Sequence, residues 1–485
     1  MAGQQRGWMD YPPRATVCFR TRARRQPFAY PASLIRKKLN VMWPLFQLFA
    51  AGLFLAAVTL HLVRRPLILL YLLLIVQFLV AGGLMPEIST RVMGVAIGPV
   101  DVINMMLLAA AILRMKCGPT GLQWALLGAM GLVIYGTFSG FLRLGDAAML
   151  GFREELYFLV PALFVSTISM QSLPEVVRAI VWFGVGLAVL AVLRWIGIAP
   201  TPEWGFDHGY LIDRVIPSNA ALWVALGALG AVYAVFDAHR QRFIAHPWIV
   251  AALCLAVVLF TQHRSVWVAS AVMLTIVFLI TQHRASIKVA VVLAAGITVA
   301  LIELLDLGHG GAATESLARA ASNVSTWEWR LEQWGAAWET HSARGWGAIL
   351  LGSGYGFGWQ TGIVGDWEVP PHNGYLQIAI RIGLLGAFLV FLPYYLALRQ
   401  LLYTGDFTSR VLWLWTIGIL IFYIPYSVNM LTGAIFGTMI AALHTRVVQW
   451  RPKPPPFSHA PAPDYRDCGD SRPSYPRPAV DRTRR

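Results

Sequence analysis

His372 stands in Pro371-His372-Asn373-Gly374-Tyr375, where a long polar segment turns back into the apolar run Leu376 to Leu398. An imidazole has an unperturbed pKa of about 6.5, so it can take up or release a proton near neutral pH. At the head of an apolar run it would be held at one depth, at the boundary between hydrocarbon and water. An interfacial histidine without a task has the same appearance, so the case for chemistry rests on its company. Arg264 lies in Thr261-Gln262-His263-Arg264, between two apolar runs with hardly any loop. The same four letters recur at 281–284, one span later, and must therefore face the opposite side. Arg284, beside Lys288, reads as an ordinary anchor. A guanidinium near the centre of a membrane helix costs about 2.5–3.5 kcal/mol on insertion scales, and less toward the interface. At Arg264 that cost favours a functional partner, commonly an anion, over a snorkelling anchor. Arg214 stands near Glu203, Asp207 and Asp213, which fits a structural ion pair as well as a binding role. Two outward arginines together suggest a doubly charged anion, because guanidinium groups grip phosphate oxygens with directed hydrogen bonds. Arg330, set among Trp327, Trp329, Trp334 and Trp338, reads as part of a helix lying at the interface, where tryptophan concentrates.

The elements that must position these residues are membrane spans. The chain is 57% hydrophobic and 13% charged, and apolar runs long enough to cross about 30 Å of hydrocarbon recur from Met42 to Val447. Most are apolar all round rather than on one stripe, which excludes an ordinary soluble protein. The formal charge of +15 resembles a nucleic-acid signal until it is located. Residues 1–40 carry +8 and residues 451–485 carry +4, so the tails hold twelve of the fifteen charges. Basic tails beside spans are retained in the cytoplasm, and topology explains the charge without nucleic acid.

The expected fold class is all-α, a polytopic membrane bundle of about twelve core helices, thirteen if the first run is counted, with one long periplasmic loop. Candidate spans are 42–62, 67–85, 97–115, 121–142, 156–171, 177–198, 217–236, 246–262, 265–282, 287–305, 375–398, 411–428 and 431–447. The short connections at 64–65, 114–116, 239–242, 283–288 and 399–410 are basic and can all be cytoplasmic together. The acidic stretches 199–213 and 306–371 then lie outside. Thirteen spans would separate two basic tails, so a twelve-span core is favoured. The expected organisation is a basic cytoplasmic leader over 1–41 or an over-extended start, a membrane domain over 42–447 with the periplasmic loop 306–371, and a disordered Pro/Arg-rich tail over 448–485.

Four cysteines, none in the long loop, imply no disulfide framework. His309, His341, Asp366, Glu368 and His372 lack metal-ligand spacing, so neither metal nor cofactor is expected. Gly352 to Gly358 lacks the Lys-Ser/Thr of a nucleotide loop and reads as a tight turn that brings backbone close to the membrane. Asp101, inside an apolar run, reads as a buried hydrogen-bonding group.

Taken in order, Arg214 with Asn219, Arg264 with Trp267, Arg330 with Trp334, Gly352-Ser353-Gly354, and His372-Asn373-Gly374-Tyr375-Leu376 with Gly383 resemble the O-antigen ligase and O-antigen polymerase-like family of bacterial glycan transferases. The resemblance covers roughly Pro66 to Val447, with its specific part at 210–390. It implies a metal-independent inverting transferase of the inner membrane, with its active site facing the periplasm. The donor would be an oligosaccharide on undecaprenyl diphosphate and the acceptor a glycan or lipid A core. The setting would be lipopolysaccharide or exopolysaccharide assembly in the cell envelope, with polysaccharide-assembly proteins as further partners. His372 would be the general base; Arg214, Arg264 and Arg330 would bind the donor, with Asn373 and Tyr375 at the substrate. Arg381-Ile382-Gly383 departs from the carboxylate often found before the glycine. A transporter of a small solute is the reading from a different class, although no internal repeat or pair of Gly/Pro-broken spans points to a transport site.

Overall fold

The computed structural model describes residues 52–449 except 82, 85–89, 93–94, 116–118, 146–147, 201–214, 237–245, most of 281–324, 357–358, 362–364, 368–370 and 404–405. The leader, nearly all of the tail, Arg214 and most of the run 287–305 lie outside the described residues. The chain divides into two units, residues 1–57 and 58–485. Among its described residues the second unit is built almost wholly of helices.

Its helices are α1 (Pro66–Ala81), α2 (Pro99–Arg114), α3 (Gly121–Leu144), α4 (Ala148–Val165), α5 (Leu173–Trp195), α6 (Ser218–Phe236), α7 (Pro247–Phe260), α8 (Arg264–Ile280), α9 (Ser325–Ser342), α10 (Trp346–Leu351), α11 (Gly374–Gln400), α12 (Phe407–Phe422) and α13 (Met430–Gln449). Two three-residue antiparallel hairpins, β1 (Thr90–Val92) with β2 (Val95–Ile97) and β3 (Trp359–Thr361) with β4 (Gly365–Trp367), modify the all-α expectation. Three helical stretches, Gly121–Arg143, Met170–Trp195 and Gly374–Gln400, are long and apolar enough to cross a membrane by themselves. Several of the rest are apolar but shorter.

Local sequence sets the ends. Thr120 Oγ1 accepts from Gln123 N at 3.3 Å while Gln123 Oε1 accepts from Thr120 N at 2.9 Å, a reciprocal cap that starts α3. Asp101 accepts from Gly98 N at 2.7 Å and from the Tyr157 hydroxyl, and lies 3.7 Å from Arg153. The acid read as a buried hydrogen-bonding group is thus a helix cap that also ties α2 to α4. At the other end of α2, Arg114 donates to Val63 O at 2.9 Å and Thr167 O at 3.0 Å, bringing the basic end of α2 level with the start of α1 and the end of α4.

Between helices in lipid there is no hydrophobic drive, so close backbone approach has to hold them together. Gly433 and Gly437, one turn apart on α13, face the backbone of α4, where any Cβ would overlap the carbonyls of Phe158 and Ala162. Phe158 stacks on Phe436 at 5.3 Å in the same seam. Trp415 on α12 is fully buried and donates to Leu226 O on α6 at 2.9 Å, so its polar atom is satisfied inside the bundle.

The helix that follows His372 is broken. At Gly383 the backbone of α11 turns to φ 73°, ψ 177°, a left-handed conformation natural to glycine. The break frees the Ile380 carbonyl, which accepts from Ser353 N at 2.7 Å. Gly352 and Gly354, also at positive φ, let this loop lie against α11 and α3; a Cβ on Gly352 would collide with the Arg381 carbonyl. The glycine turn therefore does approach the bundle closely, and it satisfies the broken helix, as non-helical backbone in a membrane requires.

Candidate active site

Asn373 caps α11, its Oδ1 accepting from Leu376 N at 2.9 Å. His372 precedes it at φ 44°, a left-handed conformation uncommon outside glycine. The turn is pinned from three sides. Trp334 donates to Pro371 O at 2.6 Å, the Trp329 ring lies 6.3 Å from the imidazole, and Gly374 N donates to Tyr423 O at 2.8 Å. Tyr375 points into the bundle, donating to Leu420 O at 2.7 Å and stacking on Phe391. Asn373 and Tyr375, expected at the substrate, are engaged here in holding the His372 turn.

The imidazole lines a cavity of about 330 Å³ together with Glu154, Tyr157, Asn219, Tyr426 and Asn429. A second cavity of about 330 Å³ is lined by Gln262, Arg264, Trp327, Arg330, Ile421 and Tyr426. Tyr426 borders both, and the Arg330 guanidinium sits over its ring at 5.3 Å. Residues distant in sequence, His372, Arg264, Arg330 and Asn219, are thereby brought to one place, with the mixed polar cavity on one side of Tyr426 and the cationic, half-apolar cavity on the other. Arg264 opens α8 directly after a turn in which Gln262 takes φ 59°. His263 Nε2 bonds Ile216 O at 3.0 Å, and Trp267 donates to Val258 O at 2.8 Å. The second contact closes the α7–α8 turn on itself, and the first clamps it to the segment leading into Asn219.

Burial lowers the His372 pKa from its ordinary 6.5, and the nearby Arg330 charge lowers it further. The imidazole is therefore neutral at pH 7 and able to accept a proton. If it acts as the base, the rate falls only as acid protonates it, so the acid limb of kcat/KM lies below pH 6.5. Arg330→Gln removes one of the two lowering effects, and the limb moves toward higher pH. A kcat/KM profile whose acid limb does not move in this variant would contradict the electrostatic link.

Sequence reasoning missed a second polar cluster beside the first. Arg381 on α11 pairs with Glu155 at 2.7 Å and Glu154 at 3.0 Å, both from the first turns of α4. Gln377 donates to the same carboxylates at 2.6 Å and 3.0 Å. The span expected at 156–171 starts at Ala148, because charged residues that read as loop are neutralised inside the bundle. The signal was present: an arginine within an apolar helix demands an acid, and Glu154-Glu155 adjoins an apolar run. Likewise α12 ends at Phe422 rather than running to 428, which frees Tyr426 for the site.

Apolar helices packed through glycine seams, with a histidine and cations gathered at loops of the bundle, define a multi-pass membrane protein with a polar site. Residues 249–391 match the family model described as O-antigen ligase, so this part of the chain is O-antigen ligase-like. The matched stretch contains Arg264, Arg330 and His372 and leaves out Asn219, Glu154 and Glu155. No curated protein sequence matches the chain.

Proposed function

We propose that the chain transfers or polymerises a saccharide carried on undecaprenyl diphosphate, at the periplasmic face of the bacterial inner membrane. The observation that carries this reading is the meeting, around Tyr426, of a neutral histidine with Arg264 and Arg330. The cationic cavity has an apolar wall of Val268, Ile421 and Ile424, a combination suited to a diphosphate joined to a lipid chain. The cavity at His372 offers hydroxyl and amide groups suited to a sugar.

The acceptor hydroxyl attacks the anomeric carbon as His372 takes its proton. The bond from that carbon to the diphosphate oxygen breaks with inversion, and the leaving negative charge is met by Arg264 and Arg330, with Arg214 as a third cation. Fixed cations at a developing charge often supply the larger share of such a rate enhancement. Two or three arginines here do what a divalent metal does in many sugar transferases. The reading carries with it a core of twelve spans with both tails in the cytoplasm and the loop 306–371 outside.

The test is polysaccharide profiling of a deletion strain complemented with wild type or Arg264→Ala, with membrane levels matched. Arg264→Ala is expected to leave surface glycan largely unassembled, because a charge-assisted contact to phosphate is lost. Short or unattached chains then separate polymerisation from ligation. Full complementation would remove Arg264 from the site and return attention to solute transport.

A further inference from the structure

A groove of about 450 Å³ lies between α1 and α5, away from the residues of the candidate active site. Its walls are Tyr71, Ile75 and Phe78 from α1 and Ala179, Trp182 and Gly186 from α5, and among the described residues its one charged lining residue is Arg178. Phe78 meets Phe183 edge-on at 6.3 Å and also approaches Gly186, so the later residues of the two helices are together at one end. Tyr71 and Arg178 then mark the other end, and α1 and α5 run parallel. The groove extends over two helical turns, about 10 Å at 1.5 Å per residue. Tyr71, Ile75 and Trp182 remain exposed along it.

The charge is confined to one end. Arg178 is exposed in the first turns of α5, and Arg64 and Arg65 are exposed immediately before α1, at that same end. Arg114 is bonded to Val63 O, so the basic terminus of α2 shares this level. An apolar slot with cations at its mouth complements a molecule that is anionic at one end and hydrocarbon at the other. Positive charge beside spans belongs to the cytoplasmic side, where the leaflet also carries anionic lipid.

We infer that the α1–α5 groove is a binding site for an anionic glycerophospholipid of the cytoplasmic leaflet, its phosphate at Arg178 with Arg64 and Arg65 and an acyl chain along Tyr71, Ile75, Phe78 and Trp182. The site is independent of the glycan chemistry and stands whether or not that reading holds. It would anchor α1 and α5 at a fixed depth.

The test places the purified full chain in phosphatidylcholine nanodiscs containing a minor share of phosphatidylglycerol, then weighs retained lipid by native mass spectrometry. Wild type retains phosphatidylglycerol preferentially. Arg178→Gln lowers that preference about five-fold, the scale expected for one basic residue at an anionic surface. Arg178→Lys keeps the preference, and Ala179→Phe, which fills the slot from an accessible face, loses the retained lipid. Only variants with the wild-type melting profile are compared, and Trp182 quenching by bromine-labelled phosphatidylglycerol, read against Trp182→Phe, locates the chain independently. Equal retention of both lipids by wild type overturns the assignment. So does loss of preference in Arg178→Gln without loss in Ala179→Phe, which puts the lipid elsewhere, and so does the converse, which leaves an unselective slot.

Discussion

His372→Asn is expected to abolish glycan assembly as fully as His372→Ala does, with a fall in kcat of about 10²–10⁴-fold, the usual worth of a positioned general base. The asparagine variant is the sharper of the two. His372 adopts φ 44°, and asparagine tolerates the left-handed region better than alanine, so the backbone turn and the caps behind it survive. Asparagine also fills much of the imidazole's space but cannot take a proton. Glu154 lines the same cavity, yet its carboxylate accepts from both Gln377 and Arg381, so it is poorly placed to act as a substitute base. Donor affinity, which the reading assigns to Arg264 and Arg330 across Tyr426, is expected to change little. Turnover by purified protein, measured with a lipid-linked donor at saturation, checks the prediction. Residual turnover near wild type in His372→Asn would take the base role from His372.

Much of the arrangement is legible in the residues alone. Apolar runs place most helices to within a few residues, since hydrocarbon thickness sets a length that sequence displays directly. The repeated Thr-Gln-His-Arg tetrapeptide sets the expectation that Arg264 and Arg284 face opposite sides, and Arg284 lies outside the described residues. What a linear sequence does not display is how residues from different runs meet. Asn373 and Tyr375 neighbour His372 in the chain, yet a cap and a turn toward Leu420 O occupy them. Tyr426 is two helices further along the chain and yet borders both cavities. Helix ends are misread where charge resembles loop: Glu154 and Glu155 belong to α4 because Arg381 on α11 neutralises them. Pairing across more than two hundred residues leaves no local periodicity to read. Arg381 stands as a departure within the motif, and the carboxylates beside it come from another helix.

That pairing sets the largest expected effect on stability. Arg381→Met leaves Glu155, which is fully buried, without its cation, and Glu155→Leu leaves the guanidinium with only the partly exposed Glu154. Breaking a buried ion pair from one side typically costs about 3–5 kcal/mol, because the remaining charge stays desolvated. Each single variant should therefore lose much of its melting temperature in detergent. Glu154→Gln should lose much less, since Glu154 is 44% exposed and its amide could still accept from Gln377. The double variant Arg381→Met with Glu155→Leu removes both charges and should recover most of the loss, as replacement of a whole buried pair by apolar residues often does. Non-additivity is the signature: two residues in one network couple, while independent sites simply sum. The stakes reach the chemistry, because Arg381 and Gln377 sit on the helix that begins two residues after His372, and the Arg381 carbonyl borders the Gly352 turn. If the double variant is as unstable as the two singles combined, the cluster is not a coupled ion pair. A double variant that melts normally but turns over slowly would instead show that these charges serve the placement of His372 and Glu154 in the cavity.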